Sequence, residues 1–211
     1  MPSIPIPLGG RLPLLDYHTL TAQQQSLFDE MAYTVIPWAD ASSFLARDSE
    51  GRFIGPFNPV LLHSELAKSF IELQFAEGEH SVLSERIREV IIPTVGSAWR
   101  ADYELYAHSA AARHAGLSDD VVDSLVAGET PNGLLVEELT AHRVARQLTL
   151  ERRIDENLYR IAEDGFGRRG VLDIVILVGI YQTVRGLLNA FAIPAPSPDH
   201  DHEGEAIGHR R

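Results

Sequence analysis

No segment of the chain shows sustained period-two alternation with β-branched enrichment. Apolar residues instead recur at helical spacing, in blocks bounded by cap signals. Thr21 with Gln24 three residues on reads as a capping box opening a helix through about Tyr33. Asn58-Pro59 supplies an N-cap and a first-turn proline for a helix to about Phe75. Ser84 caps a helix containing Ile87, Val90, Ile91 and Thr94, with Pro93 as a kink. The spacing from Trp99 to Ala115 is again helical, with Gly116 as its left-handed stop, and Ser118 to Gly128 bounds another helix. Val136 to Leu148, Asp155 to Asp164 and Val171 to Ala192 complete the set. The fold class expected is all-α, a compact bundle of about seven to eight helices.

Residues 1–20, with Pro2, Pro5, Pro7 and Pro13 and no helical period, read as an extended arm. Residues 21–194 form one helical domain, and residues 195–211 a disordered polar tail. Thr34 to Asn58 is the longest irregular stretch, the kind of loop that serves as a lid or binding loop. Gly170 to Ile193 is strongly apolar, but Asp173, Arg185 and Asn189 interrupt it. Its uncharged part, Ile174 to Val184, falls short of the roughly 20 residues a membrane span needs, so it reads as a buried helix.

Thirty acidic against 18 basic side chains give a formal charge of −12, which repels phosphate backbones and anionic headgroups. Nucleic acid and membrane surfaces are therefore poor partners. The sequence contains no cysteine, which removes disulfides, thiolate metal sites, cysteine nucleophiles and dithiol redox cycles together. The N-terminus has prolines where a signal peptide needs an apolar run, so a cytoplasmic location is expected.

The chemistry-bearing pattern lies on two consecutive helices. Ala101, Glu104 and His108 fall on one helical stripe, with Glu104 and His108 one turn apart. Fifteen residues before Glu104, Glu89 sits inside the apolar run REVII, a position costly for a carboxylate unless it is paired or neutralised. A short turn near Gly96 to Ala98 would reverse the chain and bring Glu89 level with Glu104 and His108, and burial should raise the pKa of at least one carboxylate. A Glu and a His one turn apart on a helix also occur by chance as a surface pair.

This register resembles that of the redox members of the alkylhydroperoxidase D-like family. They carry a glutamate, eleven residues, a cysteine, two residues, a second cysteine, three residues and a histidine. Here the same register reads Glu89, Ala101, Glu104, His108, so both proton-transfer positions match and both cysteine positions are replaced. The departure points to the carboxymuconolactone decarboxylase side of the superfamily, where Tyr103-Glu104-Leu105 followed by His108 resembles a familiar pattern. Asn58 to Ala67, Leu83 to Val90 and His114 to Leu125 are similar to further family segments, and the likeness spans about residues 55 to 130. The resemblance implies a bundle of the alkylhydroperoxidase D-like type, assembled as a trimer or hexamer. It also implies a lyase- or isomerase-like reaction without cofactor or metal, in which Glu89, Glu104 and His108 relay a proton on a small carboxylate or lactone.

Around this cluster, Arg100 could hold a substrate carboxylate, Trp99, Tyr103 and Tyr181 could line an apolar pocket, and His63 could face it. Each has a plain structural role as its alternative. Two other readings stay open: a metal enzyme ligated by Glu104, His108 and His63, and a non-catalytic oligomeric scaffold.

Overall fold

The computed structural model describes residues 7–196. The arm runs to a single 3-10 turn at Tyr17–Thr19, and α1 spans Ala22–Ala41, opened by the expected Thr21/Gln24 capping box. A loop with one antiparallel bridge, Arg47 to Phe53, leads to the short α2 (Phe57–Val60) and a 3-10 turn through His63. The remaining helices are α3 (Ser64–His80), α4 (Glu85–Trp99), α5 (Asp102–His114), α6 (Asp119–Ala127), α7 (Val136–Glu151) and α8 (Glu156–Phe191). Among the described residues the architecture is all-α.

Several boundaries differ from the sequence reading for identifiable reasons. Helix α1 continues past Tyr33 and through Pro37. Leu27, Met31, Val35 and Ala39, spaced by four, keep one stripe in the core, and that burial outweighs the single backbone hydrogen bond Pro37 forfeits. Asn58 does not cap a helix. It is fully buried, accepts from the Leu15 amide at 2.9 Å and donates to the Pro13 carbonyl at 3.2 Å, so it fastens the arm. Pro93 sits inside an uninterrupted α4. Helix α8 is broken at Gly167 (φ 67°, ψ 171°), which separates the two helices the sequence suggested.

Helix α4 is the axis of the molecule, packed on α5, α6, α7 and α8. Every residue from Glu89 to Gly96 is buried, so this segment is covered on all sides, as its unbroken apolar run requires. Ile91, Ile92 and Val95 join Ile174, Leu177 and Val178 of α8 in one core, while Val90 packs with Val121, Val122 and Leu125 of α6 in another. By length and composition α8 could cross a membrane. In the fold it is a core helix: Ile174 and Leu177 are fully buried, whereas Leu172 and Val175 stay exposed.

Candidate proton-relay site

The reversal between α4 and α5 is made by Arg100, left-handed at φ 49°, and by Ala101, which precedes the first residue of α5. It lies two to four residues later than expected. The helices then run antiparallel, and the space a Gly96 Cβ would need is taken by Leu105 Cδ2 at 2.9 Å and Arg185 Nη2 at 3.0 Å. This close approach draws Glu89 against His108.

His108 Nδ1 contacts Glu89 Oε2 at 3.0 Å and Oε1 at 3.3 Å. On the other side of the ring, Nε2 lies 3.2 Å from Glu104 Oε1, an ion-pair contact too poorly aligned for a hydrogen bond. Glu89, Glu104 and His108 are 7%, 3% and 4% exposed, so the cluster is effectively out of water. Burial alone would strip the proton from His108, but Glu89 and then Glu104 outweigh it and push its pKa up to about 9. Burial likewise favours the neutral form of Glu104. The adjacent imidazolium and Arg185 overcome this and hold it below the usual carboxylate range, against the expected rise. The cluster at rest is an imidazolium between two carboxylates.

Arg185, from α8, is the participant that the sequence reading passed over. It is fully buried, donates through Nη2 to the Ile92 carbonyl and stands 3.9 Å from Glu104 Oε1. Its guanidinium also lies 5.3 Å from the centre of the Tyr181 ring. The only sequence signal for it was an arginine interrupting an apolar run, and nothing local says which part of the preceding chain it meets.

The other candidates divide. Tyr181 is brought to the site, its ring edge-on to His108 at 5.0 Å, and Tyr103 lines the same cavity. Tyr103 also donates to the Leu45 carbonyl at 2.6 Å and lies so close to Gly55 that any Cβ there would overlap its ring. Burial, and then the charge of Glu104, raises the pKa of both tyrosines well above 10, which keeps them neutral. Trp99 and Arg100 are not brought there. Trp99 closes α4 at the surface beside Leu148 and Gln182, and Arg100 sits in the turn near Gly128 and Arg146. His63 is exposed, and its ring caps α3 by accepting from the Leu66 amide at 3.4 Å. The mixed metal site with Glu104 and His108 is therefore not assembled, and among the described residues no three His, Asp or Glu stand in metal-binding geometry.

Two spaces flank the cluster. An inner, mainly apolar chamber of about 70 Å3 is bounded by Phe44, Ile71, Tyr103 and Val184, with Glu104 and His108 in its wall. An outer pocket of about 460 Å3 opens beyond it, with Glu89 in its wall, and shares Trp38, Phe57, Gln74 and Tyr181 with the inner one. Trp38, which the sequence reading left in the irregular stretch, lies 6.1 Å from His108 between ring centres.

This arrangement of helices is that of the alkylhydroperoxidase D-like proteins. The alkylhydroperoxidase core of an uncharacterised peroxidase-related protein from Ralstonia eutropha JMP134 superposes with a TM-score of 0.70 at 15% identity, over 94% of this chain and 96% of that one. A peroxidase-related protein from Silicibacter sp. TM1040 gives 0.69 at 20% identity, over 92% and 95%. The debrominase Bmp8, solved as a cysteine-to-alanine variant with 2,3,4-tribromopyrrole, gives 0.65 at 15%, over 90% and 95%. Residues 64–147, which run from the start of α3 into α7 and contain Glu89, Glu104 and His108, match the model of the Carboxymuconolactone decarboxylase family. No curated protein matches the sequence significantly.

Proposed function

We propose that the protein is a non-redox enzyme that moves a proton on a small enolisable molecule, with Glu89, His108 and Glu104 as the relay. The observation that carries this reading is one buried imidazolium held between two carboxylates, each in the wall of a different space. The Glu104 carboxylate can take a proton from carbon beside a carbonyl. The bond electrons then move into the carbonyl as an enolate, and the His108 imidazolium returns a proton at another carbon. Glu104 hands the abstracted proton to Nε2, so the cluster ends as it began and the net result is an isomerisation. Glu89 fixes the ring through Nδ1 and connects it to the outer pocket.

Of the two substrate forms the sequence suggested, a neutral lactone is better supported than a carboxylate. Arg88 is paired with Glu77, and Arg185, whose Nε and Nη1 have no hydrogen-bond partner, is not among the residues that line either space. For the same reason isomerisation is favoured over decarboxylation. The tribromopyrrole bound by the debrominase of similar fold is a small flat ring of the size class proposed here.

The test is deuterium uptake from D2O into a panel of small lactones, keto acids and aromatic acids, followed by NMR. We expect exchange beside a carbonyl, and a loss of about 100-fold or more in His108→Gln with the fold intact. Undiminished exchange in that variant would remove the relay. The proposal extends to a homo-oligomer, a trimer or hexamer, supported by exposed Leu66 and Leu73 on α3 and Leu172 on α8.

A further inference from the structure

The relay leaves one chemical demand unmet. When Glu104 takes a proton from carbon, negative charge grows on the neighbouring carbonyl oxygen, and hydrogen-bond donors already in place must receive it. The charged groups of the site do not serve. His108 is engaged by Glu89 and Glu104, Arg88 is paired with Glu77, and Arg185 is not among the residues that line either space. Tyr103 lines the inner chamber, but its hydroxyl already donates to the Leu45 carbonyl.

Neutral donors remain in the wall that the two spaces have in common, which is made of Trp38, Phe57, Ile71, Gln74 and Tyr181. Gln74 comes from α3 and Tyr181 from α8, two helices packed against each other. Tyr181 is held through its ring, edge-on to His108 and beside the Arg185 guanidinium. Among the described residues neither its hydroxyl nor the Gln74 amide has a hydrogen-bond partner. The partnerless polar atoms sealed inside the protein belong to Glu77, Glu104, His142 and Arg185, so the polar ends of Gln74 and Tyr181 reach open space. Burial, then the charges of Glu104 and Glu89, keep the phenol protonated and able to donate. The Trp38 indole N–H is unpaired as well, but at 42% exposure its side chain is the one of the three that water reaches most readily. A ligand that only donates gains little from such a pair, and a carboxylate would bring a full charge beside Glu89 and Glu104. A neutral carbonyl oxygen, with two lone pairs, suits it.

We propose that the Tyr181 hydroxyl and the Gln74 amide together receive the carbonyl oxygen of the substrate and hold it as the enolate forms, a role that rests on the proton-transfer reading above. As Glu104 removes the proton, the C–H electron pair becomes a C=C bond and the carbonyl π pair moves onto oxygen. That oxygen accepts from Tyr181 and Gln74 without taking either proton. When His108 protonates another carbon, the carbonyl re-forms. The pair therefore selects lactones and ketones over alcohols and amines of the same size.

The test binds γ-butyrolactone, isotope-labelled in its carbonyl, to the full-length protein and reads the carbonyl stretch by infrared difference spectroscopy, beside deuterium uptake at the adjacent carbon. In the wild type the stretch should lie at or below its frequency in water, as two donors require. In Tyr181→Phe combined with Gln74→Met it should rise toward its frequency in an apolar solvent, each single change giving part of the rise. Phe keeps the ring against His108 and Arg185, and Met keeps the length of Gln74. Exchange should fall by about 100-fold in Tyr181→Phe and about tenfold in Gln74→Met, in kcat more than in KM. His108→Gln, which removes the proton and not the donors, should lose exchange and keep the wild-type stretch. If Gln74→Met fails to fold, the stretch and exchange of Tyr181→Phe decide the matter. An unchanged stretch in the double variant, or no bound carbonyl band at tens of millimolar lactone, overturns the proposal. A low wild-type stretch without exchange retires the relay and keeps the carbonyl site; exchange undiminished in both single variants does the reverse.

Discussion

Replacing Glu89 by Gln removes the stronger of the two carboxylate charges acting on His108 while preserving volume and a hydrogen-bonding oxygen. In the folded protein the imidazole titrates at about 9, against 6.5 in an unfolded chain. At 1.36 kcal/mol per pH unit, that difference is worth about 3 kcal/mol of folding stability. The folded pKa is the higher one, so the contribution is complete below pH 6.5, declines as pH rises, and is gone above about 9. A domain of this size has roughly 5–15 kcal/mol in total, which makes the loss easy to measure. Urea unfolding at pH 6, 7, 8 and 9 should show the wild type losing about 3 kcal/mol relative to Glu89→Gln across the window. In the variant, burial of the ring is opposed by Glu104 alone, so its His108 should titrate clearly below the wild-type value by NMR. Parallel stability profiles for the two proteins would show that the imidazole is not held charged by Glu89 and would remove the acid from the proposed mechanism.

Gly96→Ala should cost about 1–3 kcal/mol by thermal or urea unfolding, because its methyl group would displace Leu105 or Arg185. His142 is buried on α7 with its Nδ1 2.8 Å from Thr94 Oγ1, which itself donates to the Val90 carbonyl, so Nδ1 must carry the proton and Nε2 is bare. Burial first, then Arg146 and Arg143, lower its pKa to about 4, so stability should fall by about 3 kcal/mol as pH drops from 6.5 to 4, and His142→Leu should flatten that slope. Asn58→Ala, which frees the arm at Pro13 and Leu15, should cost about 1–3 kcal/mol and speed proteolytic cleavage of the arm severalfold.

The juxtaposition of Glu89, Glu104 and His108 was legible because its geometry is local arithmetic. Glu104 and His108 share a helical stripe whatever the rest of the chain does, and a short turn after an apolar helix forces Glu89 back toward them. Trp99 and Arg100 were placed on the wrong side of that turn because Arg100 adopts a left-handed conformation that a non-glycine residue gives no warning of. Trp38 was hidden by Pro37: a proline at that position reads as a helix end, and only the buried stripe from Leu27 to Ala39 shows that the helix outlasts it. Arg185 and the Glu77–Arg88 pair come from elements far apart in the chain or on facing helices, where partner choice is set by tertiary packing. The same gap bears on Glu104: its environment looked apolar from its neighbours, and the Arg185 guanidinium, which adds to the larger effect of His108 in keeping it ionised, arrives 81 residues later in sequence.

The clasp between the chain ends has a mechanical consequence. The Arg11 amide donates to the Phe191 carbonyl at 2.7 Å, Arg11 Nη1 donates to the Ala190 carbonyl at 2.9 Å, and a side chain on Gly10 would collide with the Phe191 and Ala192 carbonyls. The arm is thus latched to the last turn of α8, while Asn58 pins it a second time near α2. Tension applied at the two ends is borne by this latch first, and it must open before load reaches α4 and α5, where His108 is suspended. Between them the two fastenings act as a strain relief: the ends can be tugged, tethered or fused while the imidazole stays centred between its carboxylates.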